Sequence, residues 1–367
     1  MPTLNTVTPR VFIAATRQNE GKTTTSLGLL SALQQFYPRI GYIKPVGQRF
    51  VQIEENQIDE DTVLMDQVYQ LNCPLLDMSP IAVEPDFTRK YLQSANNEAL
   101  VKKIIKAFDR VAWEKDFVLC EGSGHAGVGS VFDLSNAQVA QILDAKVIII
   151  SQGGIGKPID EVYLNQAVFE REGVEVIGVI LNKVTAEKID YITEFARRGL
   201  KRKGLDLLGV LPHLHILSRP TVAAIQEELK ARSLNHSSQL HNLVASVVIG
   251  AMSAQNAVSH FKRGTLVITP GDREDIVLAA VAANEQGRQL AGMVLTEKIK
   301  PVNGVLRVIE KAPFPVLLAE EDSYEVASQV HNLIVKTHAA DTEKISVIRD
   351  LIATHVDVNK ILRALKL

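Results

Sequence analysis

The stretch Arg10–Leu29, RVFIAATRQNEGKTTTSLGL, decides the fold. Val11 to Ala15 are apolar or small and suit a buried strand. Thr16 to Gly21 read as a polar loop, and Lys22 with three threonines opens a helical run whose body is Ser26 to Phe36. Strand, loop, Gly-Lys-Thr and helix, in that order, is the context in which a phosphate-loop motif has physical content. The first turn of a helix leaves backbone N–H groups without partners, and the helix dipole adds partial positive charge there. Gly21 has no Cβ and lets the backbone approach an anion closely. Lys22 can reach outer phosphates, and the Thr23 hydroxyl can ligate Mg²⁺. The usual pattern opens with a glycine five places before Gly21, and here that place holds Thr16. The candidate nucleotide-binding residues of this stretch are Thr16, Glu20, Gly21, Lys22, Thr23 and Thr24, with Lys22 also a candidate catalytic cation.

The chain around it has 367 residues, enough for two domains of roughly 150 residues each. It is 46% hydrophobic and 22% charged, an ordinary globular mix. A net charge of −2 gives no bulk attraction for nucleic acid or anionic lipid. Two cysteines, Cys73 and Cys120, do not suggest a disulfide framework and suit a reducing compartment. The opening MPTLNTVTPR lacks the apolar run of a secretion signal, and runs such as Val147 to Ile150 are too short to span a bilayer. The expectation is a cytoplasmic protein with neither nucleic-acid nor membrane partners.

Beyond the first helix, Ile40 to Ile43 form a second apolar strand ending at Lys44-Pro45. Ligands of open α/β sheets lie beyond the carboxyl ends of strands, so Lys44 is a candidate to meet an anion shared with Lys22. The alternative is a solvated lysine at a strand end. The acidic run Glu54 to Asp61 reads as a loop before a short helix. Asp61 is either the cap of that helix or a carboxylate for Mg²⁺. Cys73 to Ser94 read as a long excursion, a lid or substrate loop, and Asn97 to Trp113 as an amphipathic helix.

In FVLCEGSGHAGVG, residues 117–129, a short apolar strand ends in Glu121 and a glycine-rich loop. A carboxylate against a buried strand needs a partner, and Mg²⁺ beside the phosphate loop would be one. Lys146 to Ile150 is a further strand, with Pro158 at the next helix start. Val176 to Leu181 ends in Asn182-Lys183, where Asn182 either reads an adenine edge or caps the next helix. Leu205 to Leu211 is the last strand of this half. Strand–helix alternation with near-continuous apolar strands implies an α/β fold with a parallel sheet covered on both faces.

The first domain is expected over residues 1–217, a linker over 218–240 and a smaller α/β domain over 241–367. Strands in this second domain are read at Leu243 to Ile249, Thr265 to Ile268, Ala291 to Leu295 and Pro315 to Leu318. Helices Thr342 to Ala353 and Val358 to Leu365 close it. No Gly-Lys-Thr recurs there, which suggests substrate recognition, oligomerisation or regulation.

ATRQNEGKTT, GYIKPVG, DEDTVLM, FVLCEGSG and GVILNKV, in this order, resemble the dethiobiotin synthetase-like branch of phosphate-loop ATPases, which includes the cobyrinate synthases. The resemblance covers residues 10 to 215. In that family Gly-Thr precedes the loop; Thr16 matches, and Ala15 replaces the glycine. The resemblance implies that Lys22, Thr23 and Lys44 contact phosphates or a carbamate-like intermediate, that Asp61 and Glu121 hold Mg²⁺ with Thr23, and that Asn182 reads adenine.

VIGAMS (248–253), LVITPGDRED (266–275), AGMVLT (291–296) and PVLLAEEDSYEVA (315–327) are similar to the DRTGG domain. Asp272-Arg273 keep its naming motif, while Glu274-Asp275 replace its Thr-Gly, which implies loss of any ligand held by those small residues. The pairing of both domains looks like the N-terminal half of long bacterial phosphotransacetylases, and it implies a homodimer. No acetyltransferase domain follows before Leu367, so acetyl transfer is not expected. Two functions follow: an ATP-binding regulatory or sensor protein, or a Mg-ATP-dependent ligase of dethiobiotin synthetase or cobyrinate synthase type acting on a small molecule. Glutamine-dependent amidation is disfavoured, because Cys120 lies inside a buried strand.

Overall fold

The computed structural model describes residues 4–235 and 238–366. It divides into two units, Met1–His213 with Thr342–Leu367, and Leu214–Asp341.

In the first unit the strands are β1 (Arg10–Ala15), β2 (Ile40–Ile43), β3 (Phe117–Glu121), β4 (Lys146–Gln152), β5 (Val176–Val184) and β6 (Leu207–Pro212). They lie in the order β6-β5-β4-β1-β3-β2, and every pairing is parallel. Helices cover both faces, so β1 and β3 are buried throughout and read as apolar runs. The strands consecutive in sequence, β3 and β4, flank β1 on opposite sides. The carboxyl end of β1 is therefore a switch point of the sheet, where such folds leave a ligand crevice. Helix α1 (Lys22–Gln34) starts there.

The acidic run is not a loop. Phe50–Ile53 and Asn56–Asp59 pair as an antiparallel hairpin, and α2 (Glu60–Tyr69) follows. Its cap is Asp59, whose side chain accepts from the Asp61 N–H at 3.0 Å, so Asp61 stands in the first turn rather than at the cap. The difference is one of position: a cap must precede the helix to reach back to its free N–H groups. The stretch from Cys73 to Ser94 also holds more order than expected, with helices Leu75–Met78 and Phe87–Gln93. Further along, α3 (Lys157–Arg171) carries Pro158 in its first turn.

The second unit contains β7 (Arg232–Ser233), β8 (Ser246–Ile249), β9 (Thr265–Pro270), β10 (Gly292–Thr296) and β11 (Val316–Leu318), ordered β7-β11-β10-β9-β8. β8 to β11 are parallel, and β7 is antiparallel. Helix α4 (Glu274–Ala283) follows β9. The segment 218–240, expected as a linker, is part of this unit. Its helix Val222–Glu228 buries Val222 and Ile225 in the core, and β7 closes one sheet edge.

The closing helices differ too. α5 (Thr342–His355) and α6 (Val358–Leu365) belong to the first unit, not to an expected 241–367 domain. α5 buries Ile345, Ile348, Leu351 and Ile352, and the Asp357 N–H bonds the Leu208 carbonyl of β6 at 2.9 Å. Spacing along the chain reveals an apolar helix face, but not the surface that receives it. No helix among the described residues is long and apolar enough to cross a membrane.

Candidate functional site

The loop between β1 and α1 is held from outside at every turn. Thr16 donates its N–H to the Ile150 carbonyl at 2.9 Å, and its hydroxyl meets that of Ser151 at 3.1 Å. Arg17 pairs with Glu161 of α3. The Asn19 carbonyl accepts from Lys183 Nζ at 2.5 Å, and the Glu20 carbonyl from Asn182 Nδ2 at 2.8 Å. Gly21 sits at φ 95° and ψ 32°, the left-handed region. A Cβ there would lie 2.2 Å from Asn182 Nδ2, so glycine is required twice, by conformation and by contact. The strands β4 and β5 thus fasten the loop from outside.

Inside the loop stand charges that lie up to about a hundred residues apart along the chain. Glu121, fully buried at the end of β3, accepts from Thr23 Oγ1 at 3.2 Å and from the Tyr42 hydroxyl at 3.2 Å. Burial pushes its carboxyl up to about 7, aided by the neighbouring Asp61 charge and opposed by Lys44 and Lys22. Burial likewise lowers the Lys22 ammonium, with Glu121 opposing. Lys22 forms no salt bridge among the described residues. Burial raises the Tyr42 phenol well above its ordinary range, and the Glu121 carboxylate adds to this.

Lys44 is different. It is buried between Asp59 Oδ1, at 2.8 Å, and Asp61. Burial works against its charge, but Asp61, Asp59 and Glu121 outweigh that and raise it. Asp61 is held below its ordinary value: burial pushes up, and the Lys44 ammonium overcomes it with help from Thr23 and Lys22. Burial raises the Asp59 carboxyl. Lys44 is therefore neither solvated nor open to an anion; two carboxylates hold it.

The structure brings Lys22, Thr23, Lys44, Asp61 and Glu121 together. Asn182 is buried inside β5, its Nδ2 on Glu20 and its Oδ1 on its own neighbour's N–H at 2.8 Å. The amide is engaged under the loop, and it caps no helix. The Glu20 carboxyl is buried and raised by that burial, while Thr24 is half-buried in the first turn. Two members were missed. Tyr42 reads as part of an apolar strand, and Asp59 as one acid among several. Thr23, Asp61 and Glu121 form a set of hard oxygen donors suited to a small divalent cation. Among the described residues no cluster of three or more His, Cys, Asp or Glu is arranged to hold a metal.

Residues 9–221 match the family model described as AAA domain. The chain belongs to that family. Residues 224–333 match the DRTGG domain, so the resemblance of both halves is borne out, and the AAA domain of this chain begins one residue before β1. The phosphate acetyltransferase of Pseudomonas putida is 29% identical over 357 residues, covering 94% of this chain and 50% of that protein. That of Synechocystis sp. is 26% identical over 374 residues, 98% of this chain and 52% of that protein. The chain spans about half the length of the curated relatives it matches. Among solved structures, the MinC:MinD cell division protein complex of Aquifex aeolicus is 14% identical, with 57% of this chain and 83% of that chain covered and a TM-score of 0.37.

Proposed function

We propose that the chain binds ATP with Mg²⁺ at the loop between β1 and α1 and acts as a regulatory or sensor module rather than as a ligase. The observation that carries this is the contrast between its two lysines. Lys22 stands at a helix N-terminus beside Thr23, whose hydroxyl donates to Glu121, and it forms no ion pair among the described residues. Lys44, the second cation that a carboxylate or carbamate substrate would require, is neutralised by Asp59 and Asp61. The N–H groups from Gly21 to Thr24 and the Lys22 ammonium would take the phosphates, and Thr16 and Glu20 would hold the loop's shape. Thr23, Asp61 and Glu121 would hold Mg²⁺, which neutralises phosphate charge when bound. Asn182 would support the loop from beneath instead of reading adenine.

The same reading makes the protein cytoplasmic, without nucleic-acid or membrane partners, and a homodimer. Free Cys73 and Cys120 support the first point. Sedimentation that returns a stable monomer at micromolar concentration would refute the last.

The test of the central reading is calorimetric titration with a non-hydrolysable ATP analogue and Mg²⁺, alongside ATP turnover with and without a diamine and bicarbonate. Tight binding with negligible turnover is expected. Phosphate release that depends on the diamine would favour the ligase instead, and no binding at millimolar nucleotide would end both.

A further inference from the structure

Helix α5 touches both helices that build the candidate site. On α1 it enters a notch left by Gly28. A Cβ at Gly28 would lie 2.2 Å from Ile352 Cγ1 and 3.0 Å from the Ile348 carbonyl, and Ile348 and Ile352 are fully buried there. Such close approach is possible only because position 28 carries no side chain. On α2 it reaches Tyr69, whose ring lies 5.3 Å from the Arg349 guanidinium carbon. The Tyr69 hydroxyl in turn donates to the Leu27 carbonyl of α1 at 2.5 Å. Gly28, Leu27, Tyr69, Arg349 and Ile352 therefore form one packed knot.

The two helices in the knot carry the site at their other ends. Gly28 is five residues beyond Thr23, and Tyr69 is eight beyond Asp61. At about 1.5 Å per residue, both distances are on the order of 10 Å along rigid helices. α5 also begins at Thr342, directly after Asp341, where the second unit ends. It is the first element the chain builds on returning to the nucleotide unit.

We infer that docking of α5 into the Gly28 notch and nucleotide binding at the β1 loop are coupled, so that each strengthens the other. The inference rests on the nucleotide reading above and adds its regulation. The notch fixes the position of α1 against α2, and hence of Lys22 and Thr23 against Asp61. A displaced α5 frees the two helices to separate, and the site loosens. A ligand that needs the closed arrangement pulls α5 in by the same factor, because coupling of binding free energies is reciprocal. Gly28, Ile352 and Arg349 are positioning residues in this scheme, since none lies within the site.

The experiment uses the whole chain with a non-hydrolysable ATP analogue and Mg²⁺. Binding is measured by calorimetry, and amide hydrogen exchange of residues 342–355 is followed in the same samples. Saturation is expected to slow exchange across α5. Gly28→Ala is expected to weaken binding about tenfold, and the pair Gly28→Ala with Ile352→Ala to recover most of it, because the second change reopens the space. A merely structural notch would lower the thermal stability of Gly28→Ala and leave its affinity unchanged. That result, or unchanged exchange at saturation, overturns the inference while leaving nucleotide binding intact. Should Gly28→Ala not fold, Arg349→Ala serves instead, with an expected loss of about threefold that an unchanged affinity would refute. Absence of binding to the unaltered chain removes the nucleotide reading and this inference together.

Discussion

Each unit presents a loop and helix start at the end of a buried parallel strand, and the two treat charge in opposite ways. After β1, the first turn of α1 is Lys22-Thr23-Thr24-Thr25 and contains no acid. Its positive end is left open, and the loop is held by bonds to β4, β5 and α3 on the outside. After β9, the loop Gly271-Asp272-Arg273 runs into α4, whose first turn holds Glu274 and Asp275. There the arginine is fully engaged. Arg273 Nη1 donates to the Gly250 carbonyl at 2.9 Å, Nη2 donates to the Met252 carbonyl at 2.7 Å, and the guanidinium forks onto Asp275. The same architecture keeps a cation available in one unit and consumes it in the other. Acidic residues that satisfy a helix N-terminus internally leave little for an external anion.

The sharpest way to break this comparison is Lys22→Ala. If the open cation is the point of the first loop, affinity for the ATP analogue should fall by about a hundredfold, roughly 2.7 kcal/mol. Far-ultraviolet circular dichroism should stay unchanged, since Lys22 makes no salt bridge among the described residues. Isothermal titration checks it, and micromolar binding in the variant would show the lysine to be incidental.

How far the difference was legible in the chain depends on what each feature requires. β1, its loop and α1 were readable, because a run of buried apolar residues, a glycine and Lys-Thr occur in one continuous window. The engagement of Arg273 was not readable: the acids at 274 and 275 stood out only as departures from the motif that imply a lost ligand, and neither the fork onto Asp275 nor the carbonyls of Gly250 and Met252 show in the chain. The carboxylates that hold Lys44 were out of sight for a similar reason. Its partner Asp59 caps α2 after a hairpin that the acidic run concealed, and the ion pair exists only once that hairpin folds back. Asn182 falls in the same class. An amide at a strand end can face a ligand or a neighbouring loop, and the choice is made by the packing of Gly21 against it. The returning helices α5 and α6 were seen as helices, yet their partner was invisible, since a notch at Gly28 is a property of two distant segments.

Gly21→Ala tests whether the outer fastening of the first loop matters. The added methyl meets the Asn182 amide, and φ 95° is unfavourable for alanine. A loss of about 1–3 kcal/mol in stability is expected, read as a lower midpoint in urea unfolding, with weaker nucleotide binding alongside it. An unchanged midpoint would mean that the loop relaxes freely and is not held in advance.

Arg273→Ala is the counterpart in the second unit. It strips the Gly250 and Met252 carbonyls of a charged donor, and should cost about 1–2 kcal/mol. Nucleotide affinity should not change. A variant that weakened nucleotide binding without altering stability would contradict the view that this arginine is a structural brace.

The smallest effect expected is that of Asp275→Asn, and its pH dependence identifies it. A hydrogen bond from Arg273 holds the Asp275 carboxyl below the ordinary aspartate value. A carboxyl depressed in the folded state contributes stability above its unfolded pKa and loses it as pH falls through the folded one. The unaltered chain should therefore exceed the variant in stability at pH 7, with the gap beginning to shrink near about pH 4, where the unfolded carboxyl takes up its proton, and vanishing only once pH has fallen through the lower folded-state value. Asp275 is half-exposed, so solvent screening keeps the gap near ~0.5 kcal/mol, and 1 M salt should shrink it further. A gap that did not shrink at all as pH fell could not come from the carboxylate charge. It would have to come from the hydrogen bonds that an asparagine makes differently, and the consumption of Arg273 would then rest on the Gly250 and Met252 carbonyls alone.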